Sequence, residues 1–109
     1  MDIDFATVKL RALCEEHKRM VTAFGVHCAK KLQNRLSDIE AAAFVTELVA
    51  GRPHPLKGDR LGQFSVDLHG AVRLVFEPNH DPVPRNTDQS IAWNQVNKLR
   101  IVFIGDYHD

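Results

Sequence analysis

The chain has 109 residues, of which 44% are hydrophobic and 26% charged, and its 14 Lys and Arg balance 14 Asp and Glu. This length suits one domain with one core, since folding at this size buries more than about 60% of the unfolded surface. Net neutrality argues against a general nucleic-acid coat protein or a membrane-surface binder, because both need a strong positive field. A local basic patch stays compatible with it.

The compartment is predicted from features that the sequence lacks. The N-terminal segment is acidic and has neither the basic start nor the apolar run of a signal peptide. No apolar stretch approaches the ~18 residues of a membrane span. Two cysteines, Cys14 and Cys28, are too few for a disulfide framework. We therefore expect a cytoplasmic protein with reduced thiols.

The first half of the chain predicts a short strand followed by two helices. Residues 2–6 alternate between charged and apolar, which is typical of a strand. Thr7 is a suitable N-cap for a helix over residues 7–24, whose apolar positions recur every three or four residues. Gly25 ends that helix, and a second amphipathic helix follows over residues 26–42.

The second half predicts a β-hairpin. Residues 63–68 and 71–77 alternate between polar and apolar around a short turn. Apolar side chains of both strands share one face. Arg73 then lies on the opposite face, with Ser65 and Asp67 as its expected neighbours.

A long loop and a final strand complete the chain. Residues 78–95 are rich in Pro, Asn, Asp and Gln, and a loop of this length is usually functional or mobile. Residues 99–104 are nearly continuously apolar, which predicts a strand covered on both faces. The order of elements predicts a single α+β domain over residues 1–109, with helices on one side of a sheet.

Three separate segments carry side chains that bind anions or transfer protons: residues 54–60, Arg73, and residues 106–108. A neutral His accepts a proton near pH 7, Lys and Arg bind anions, and Tyr donates its phenolic proton or stacks on a base. Such a set suits transesterification of a phosphodiester without metal or cofactor. A base takes the 2′-hydroxyl proton, cations stabilise the phosphoryl charge, and an acid protonates the leaving oxygen.

Each of these residues also has a purely structural explanation. His54, flanked by prolines, suits a surface loop. Lys57, Asp59 and Arg60 can form surface ion pairs, which contribute only ~0–1 kcal/mol. Tyr107, close to the end of the sequence, can serve as a packing anchor.

The ordered motifs resemble the HigB-type branch of the RelE/ParE toxin superfamily, the host-inhibition or plasmid maintenance killer toxins of bacterial type II toxin–antitoxin pairs. The helical stretch over residues 29–42 is also similar to that branch. The motifs are His54-x-Leu56-Lys57-Gly58-Asp59-Arg60-x-Gly62-Gln63-Phe64-Ser65, then Arg73-Leu74-Val75-Phe76, then Asp106-Tyr107-His108.

The resemblance implies a small RelE-like domain, with a curved, mostly antiparallel sheet and helices packed on one face. It also implies cleavage of messenger RNA, usually in the ribosomal A site, and neutralisation by a helix-turn-helix, HigA-like antitoxin. His54 and Lys57 would take acid–base and phosphate roles, and Arg73 would contact the scissile phosphate. Residues 106–108 would stack on a base or transfer protons.

The first hypothesis is therefore a HigB-like endoribonuclease toxin. Its expected catalytic residues are His54, Lys57, Arg73, Tyr107 and His108, and its expected RNA contacts are Arg60, Arg100 and Asp106.

The second hypothesis is a RelE-fold binding protein without catalysis, such as a decayed toxin or a ParE-like inhibitor of a non-RNA target. Net neutrality favours this alternative, because ribosome-docking nucleases need cations against phosphate. The first and second hypotheses differ in whether four cations form a positive patch or are paired with acids: Lys57, Arg60, Arg73 and Arg100. A third, weaker hypothesis is a metal site built from His54, Asp106 and His108.

Overall fold

A five-stranded sheet organises the computed structural model, which describes residues 1–107. The strands lie in the order β1-β5-β4-β3-β2. Their bounds are β1 Asp2–Phe5, β2 His54–Pro55, β3 Phe64–Asp67, β4 Arg73–Pro78 and β5 Lys98–Gly105.

The sheet is mixed but mostly antiparallel. β1 runs parallel to β5, and the other three neighbouring pairs are antiparallel. The register between β4 and β5 shifts at Val75 and Phe76. An irregularity of this kind bends a strand and increases its twist, so it curves the sheet.

The predicted hairpin is confirmed in its register as well as its position. Ser65 lies opposite Val75, and Asp67 lies opposite Arg73. Phe64, Val66, Leu74 and Phe76 are buried together in the core, whereas Arg73 lies on the other face of the sheet. The alternation in the sequence therefore assigned both faces correctly.

Two helices cover the core face, α1 over Val8–Glu15 and α2 over His17–Ala41. The Thr7 side chain accepts a hydrogen bond from the Leu10 amide, as predicted for an N-cap. The predicted uninterrupted helix over residues 7–24 is wrong, because Glu16 is extended (φ −107°, ψ 103°) and separates α1 from α2. This break lets α1 pack against α2.

The helix end that the sequence predicts at Gly25 is present as a kink inside α2. Its φ of 82° and ψ of 166° lie outside the helical region. Beyond the kink, α2 buries its apolar stripe against the sheet. The fully buried residues of that stripe are Cys28, Ala29, Leu32 and Ile39.

The predicted loop over residues 78–95 packs on the core. β4 extends to Pro78, a short 3-10 helix spans Trp93–Gln95, and Ala92 and Val96 are buried. The Val45 amide donates a hydrogen bond to the Val96 carbonyl. The C-terminal end of this loop is therefore fixed on the core.

Two strand predictions need correction. β5 is not covered on both faces along its length, since Val102, Phe103 and Ile104 are only half-buried. The two-residue strand β2 was not predicted, because Pro53 and Pro55 suggested a break in regular structure. No helix within residues 1–107 is long and apolar enough to cross a membrane.

Candidate active site on the second face of the sheet

Polar side chains gather on the face of the sheet that lies away from α2. Cross-strand partners in antiparallel strands point to the same face, so the register places them together. Two residues outside the strands, Arg60 and Tyr107, join this face through contacts with strand side chains. We call the group the site cluster; its members are His54, Arg60, Ser65, Arg73 and Tyr107.

Ser65 lies at the centre of the site cluster. It is fully buried, and it is the cross-strand partner of His54. The Tyr107 hydroxyl donates a hydrogen bond to Ser65 Oγ at 3.2 Å. Ser65 therefore brings together a candidate base from the β2 edge and a phenol from the segment after β5.

The imidazole of His54 is held in a defined tautomer. Its Nδ1 lies 2.8 Å from the Arg52 carbonyl oxygen. A carbonyl can only accept a hydrogen bond, so in the neutral ring Nδ1 carries the proton and Nε2 is the acceptor. The structure thus assigns His54 the form that a general base requires.

Two aromatic rings hold the Arg60 guanidinium. Its central carbon lies 4.5 Å from the centroid of Phe103 and 5.0 Å from that of Tyr107. Nη1 also donates a hydrogen bond to Gln63 Oε1 at 3.0 Å. Stacking on rings fixes a guanidinium plane while leaving it its charge.

Asp67 pairs with Arg73, the strand arginine. Arg73 Nε lies 2.8 Å from Asp67 Oδ1, an ion-pair distance, although the N–H is not aligned for a hydrogen bond. Arg73 Nη1 also donates to the Gly70 carbonyl at 3.1 Å. Arg52 pairs with the other oxygen of the same carboxylate at 3.1 Å. Asp67 therefore offsets part of the positive charge beside the cluster.

Arg100 lies outside the site cluster. Arg73 faces Gly105, five residues along β5 from Arg100, which corresponds to roughly 15 Å of strand. There Arg100 Nη2 pairs with Glu77 Oε2 at 3.2 Å. Of the four cations whose grouping distinguishes the two hypotheses, Arg100 therefore lies apart from Arg73 and is paired with an acid.

Lys57 lines a separate cavity of about 550 Å³, which we call the loop cavity. One wall is the segment after β2, and the other belongs to the long loop. The lining residues are Pro55, Leu56, Lys57, Leu61, Gly62, Arg85, Gln89, Ser90, Ile91 and Trp93.

Solved structures with a similar architecture include toxins. The YoeB/ParE toxin from Agrobacterium tumefaciens has a TM-score of 0.59 at 15% sequence identity, covering 99% of this chain and 100% of that chain. A YoeB–YefM complex and a YoeB dimer, both from Staphylococcus aureus, each have a TM-score of 0.58, at 20% and 19% identity, and each match covers 100% of this chain and 98% of the other. The chain has a YoeB-like fold.

This likeness confirms the predicted fold class, a RelE-like α+β domain with helices on one face of the sheet. No family model and no curated protein sequence matches the chain. At these identities the likeness concerns the fold, and the activity has to be argued from the site cluster.

The remaining predicted residues have separate outcomes. Asp106 is exposed directly after β5, next to Tyr107. His108 lies outside the described residues. Within residues 1–107, no three His, Cys, Asp or Glu side chains are close enough together to hold a metal ion.

Phe103 and Gln63, which position Arg60, were not predicted as functional residues. The sequence assigned Phe103 to a strand covered on both faces, where it would have been only a core residue. Ser65 was predicted merely as a neighbour of Arg73. Its central place depends on β2, which the prolines concealed in the sequence.

Proposed function

We propose that the chain is the toxin of a type II toxin–antitoxin pair and cleaves messenger RNA without a metal. The observation that carries this proposal is the site cluster: a histidine whose Nε2 is the acceptor nitrogen, two arginines and a tyrosine on one sheet face of a YoeB-like fold. The HigB-like branch is proposed from the ordered motifs of the sequence.

The proposed reaction is an in-line transesterification. His54 Nε2 takes the proton of the 2′-hydroxyl, whose oxygen attacks the adjacent phosphorus. The bond from phosphorus to the 5′ oxygen breaks, and Tyr107 donates its phenolic proton to that leaving oxygen. The products are a 2′,3′-cyclic phosphate and a 5′-hydroxyl end.

The arginines would stabilise the phosphoryl charge in the transition state. Arg73 uses Nε toward Asp67 and Nη1 toward backbone carbonyls. Within the described residues its Nη2 makes no hydrogen bond, so this nitrogen is available to a phosphate oxygen. Arg60 is held in place by its two rings, and a guanidinium that needs no reorganisation stabilises developing charge well.

The proposal includes a protein partner and a compartment. In the Staphylococcus aureus structures the toxin YoeB is solved in complex with YefM. By this likeness we propose an antitoxin partner, of the helix-turn-helix class that the sequence motifs imply, and a cytoplasmic location.

Inducible expression tests the nuclease proposal. We expect the wild-type chain to slow growth and to generate new 5′-hydroxyl ends in translated messages, with cleavage by purified protein persisting in EDTA. His54→Ala and Arg73→Ala should abolish both effects. Removal of one catalytic acid–base group costs about 10²- to 10⁴-fold in rate.

Matched controls are His27→Ala and Arg19→Ala, which remove the same residue types from exposed helical positions. Both should remain as toxic as the wild type, and circular dichroism should show every variant folded. New ends that persist in the His54 and Arg73 variants would contradict the proposal.

A second candidate is a binding protein with no catalysis. The pairing of Arg73 with Asp67 and of Arg100 with Glu77 favours it, because both arginines lose part of their attraction for phosphate. In that case wild-type and His54→Ala chains would slow growth equally, with no new RNA ends in either culture.

A further inference from the structure

We propose that the loop cavity binds one unpaired nucleotide of the RNA, with the base against Trp93 and the phosphate at Lys57 and Arg85. The inference rests on the proposed nuclease function and adds a substrate subsite to it. It also gives Lys57 a binding role in the cavity.

The dimensions and lining of the cavity suit a nucleotide. Its volume is about 550 Å³, within the ~300–1,000 Å³ usual for small-molecule sites. Leu61 and Ile91 supply apolar walls and Trp93 an aromatic one. Stacking on an aromatic side chain holds any base, because every base has a π-face.

The charge of the cavity complements a phosphate. Lys57 and Arg85 are exposed at its lining, and none of its lining residues is acidic. Within residues 1–107 the Lys57 ammonium group makes no ion pair. Arg85 Nη1 donates to the Gln89 carbonyl at 2.8 Å, which fixes the guanidinium and leaves it its charge. The lining thus carries two cations and no acid in a chain whose formal net charge is zero, and the Asp88 carboxylate accepts hydrogen bonds from the lining residue Ser90.

The walls of the cavity are held by the fold. The Trp93 ring packs on the buried Phe64 ring, with centroids 4.8 Å apart. On the opposite wall, Gln89 adopts a left-handed backbone conformation with φ 73°. The Ser90 amide and hydroxyl donate hydrogen bonds to Asp88 Oδ1, and Asn86 Nδ2 donates to Ser90 Oγ at 2.9 Å, which fixes this turn. A fixed pocket loses less entropy when it binds.

The cavity adjoins the site cluster at strand β2. His54 belongs to the cluster, and the next residue, Pro55, lines the cavity. Successive side chains of a strand point to opposite faces. An RNA strand that crosses this sheet edge can place one nucleotide in the cavity and a neighbouring phosphate at His54.

Trp93 reports binding directly, because it is the single tryptophan of the chain. We expect adenosine 5′-monophosphate and hexaadenylate RNA to quench its emission, the RNA being titrated against His54→Ala protein so that it stays intact. Adenosine without phosphate should bind more weakly. If both cations engage phosphate, the slope of log K against log salt should be about −1.4 for the RNA.

Arg85 variants test the assigned contact. Arg85→Ala should weaken RNA binding about tenfold and reduce the salt slope by about 0.7, whereas Arg85→Lys should retain both. Trp93→Leu, measured by anisotropy of labelled hexaadenylate, should lose about tenfold in affinity. Arg19→Ala should bind as the wild type does.

The outcomes separate this inference from the proposed function. Cleavage by wild type without any quenching by nucleotide or RNA would overturn the cavity inference and leave the nuclease standing. Quenching that Arg85→Ala weakens, without cleavage, would support the cavity and overturn the nuclease. If Trp93 emission changed only on addition of the antitoxin encoded by a neighbouring gene, the cavity would be a protein-docking site and the inference would be overturned.

Discussion

The orientation of His54 depends on two preceding residues with left-handed backbone conformations. Gly51 has φ 84° and Arg52 has φ 49°. The Gly51 carbonyl accepts a hydrogen bond from the Asp67 amide at 2.6 Å, and the Arg52 carbonyl accepts from His54 Nδ1. This turn connects the imidazole to the strand that carries Ser65 and Asp67.

Gly51→Ala should destabilise the protein strongly. An added Cβ would lie 2.6 Å from Val66 Cγ1 and 2.8 Å from the Asp67 carbonyl oxygen. Left-handed strain costs about 1–2 kcal/mol, and overpacking adds about 1–3 kcal/mol. Urea denaturation measures the total loss in the free energy of unfolding.

Gly70→Ala is the matched control for this substitution. Gly70 also has positive φ, 61°, but its Cβ would meet nothing within 4 Å. Only the strain of about 1–2 kcal/mol should appear there. Equal losses in the two variants would mean that the crowding at Gly51 relaxes without cost.

The Cys14 thiol predicts a pH dependence of stability. Burial raises its pKa from 9.0 to about 12, and the Glu15 carboxylate adds to the rise. The folded state keeps a proton that the unfolded chain releases above pH 9.0. This contribution is complete below that pH and is lost as the pH rises towards 12.

Urea titrations below and above pH 9.0 check this expectation. Between pH 9.0 and about 12, Cys14→Ala should lose less stability than the wild type, because the alanine variant has no thiol to titrate. A parallel decline of both proteins would show that the thiol does not contribute.

At the residue scale, the sequence predicted pairs that a strand register creates. The neighbourhood of Arg73, Ser65 and Asp67 followed from alternation alone, because the period of a strand fixes its faces. The stacking of Arg60 on Phe103 and Tyr107 could not be predicted this way. It joins three distant segments, and no local periodicity records such a contact.

At the scale of elements, the long loop departs most from the expectation drawn from its composition. Pro, Asn and Asp predict irregular backbone, and the backbone is indeed mostly irregular. The apolar residues Ile91, Ala92 and Trp93 at its C-terminal end, with Val96 directly after it, nevertheless anchor that end on the core. The composition predicted the irregular backbone, but not that the end of the loop would pack on the core.

Val96→Ala should therefore cost about 2 kcal/mol, within the range for truncating a buried aliphatic side chain. Val96 is completely buried, and its carbonyl accepts from Val45. Val83→Ala, at a half-buried position of the loop that Val96 directly follows, should cost less. Thermal unfolding of both variants makes the comparison, and equal effects would indicate that the loop is loosely attached.

The helices show which boundaries a sequence can provide. Thr7 and Gly25 have backbone or capping preferences that mark an end locally. Glu16 has no such preference, and its extended conformation serves the packing of α1 on α2. That reason belongs to tertiary structure and leaves no local signal.

At the scale of the whole molecule, the equal numbers of acidic and basic side chains are unevenly distributed. Arg73 and Arg100 are paired with acids, whereas the loop cavity carries two cations and no lining acid. Net charge predicted a weak overall field. The distribution depended on the fold, because sheet register and loop packing decide which charges meet.

A single core cluster predicts cooperative unfolding. Residues of α2, β3, β4 and β5 are buried in one cluster, and Trp93 packs against it. Urea transitions followed by Trp93 fluorescence and by far-ultraviolet circular dichroism should coincide. Separate midpoints would indicate that the helices and the sheet unfold independently, against the expectation of one domain.

The prolines around β2 also affect the solubility of the sheet. β2 is an edge strand of two residues, and both Pro53 and Pro55 lack an amide proton. The Leu56 amide donates to the Gln63 carbonyl across this strand pair, and the amide of His54, two residues earlier, faces β3 as well. The outward-facing positions 53 and 55 are both proline, so they offer no amide donor to a strand from another molecule. Short, proline-containing edges resist intermolecular pairing and amyloid-like growth. The same prolines that hide the strand in the sequence thus make the β2 edge a poor template for aggregation.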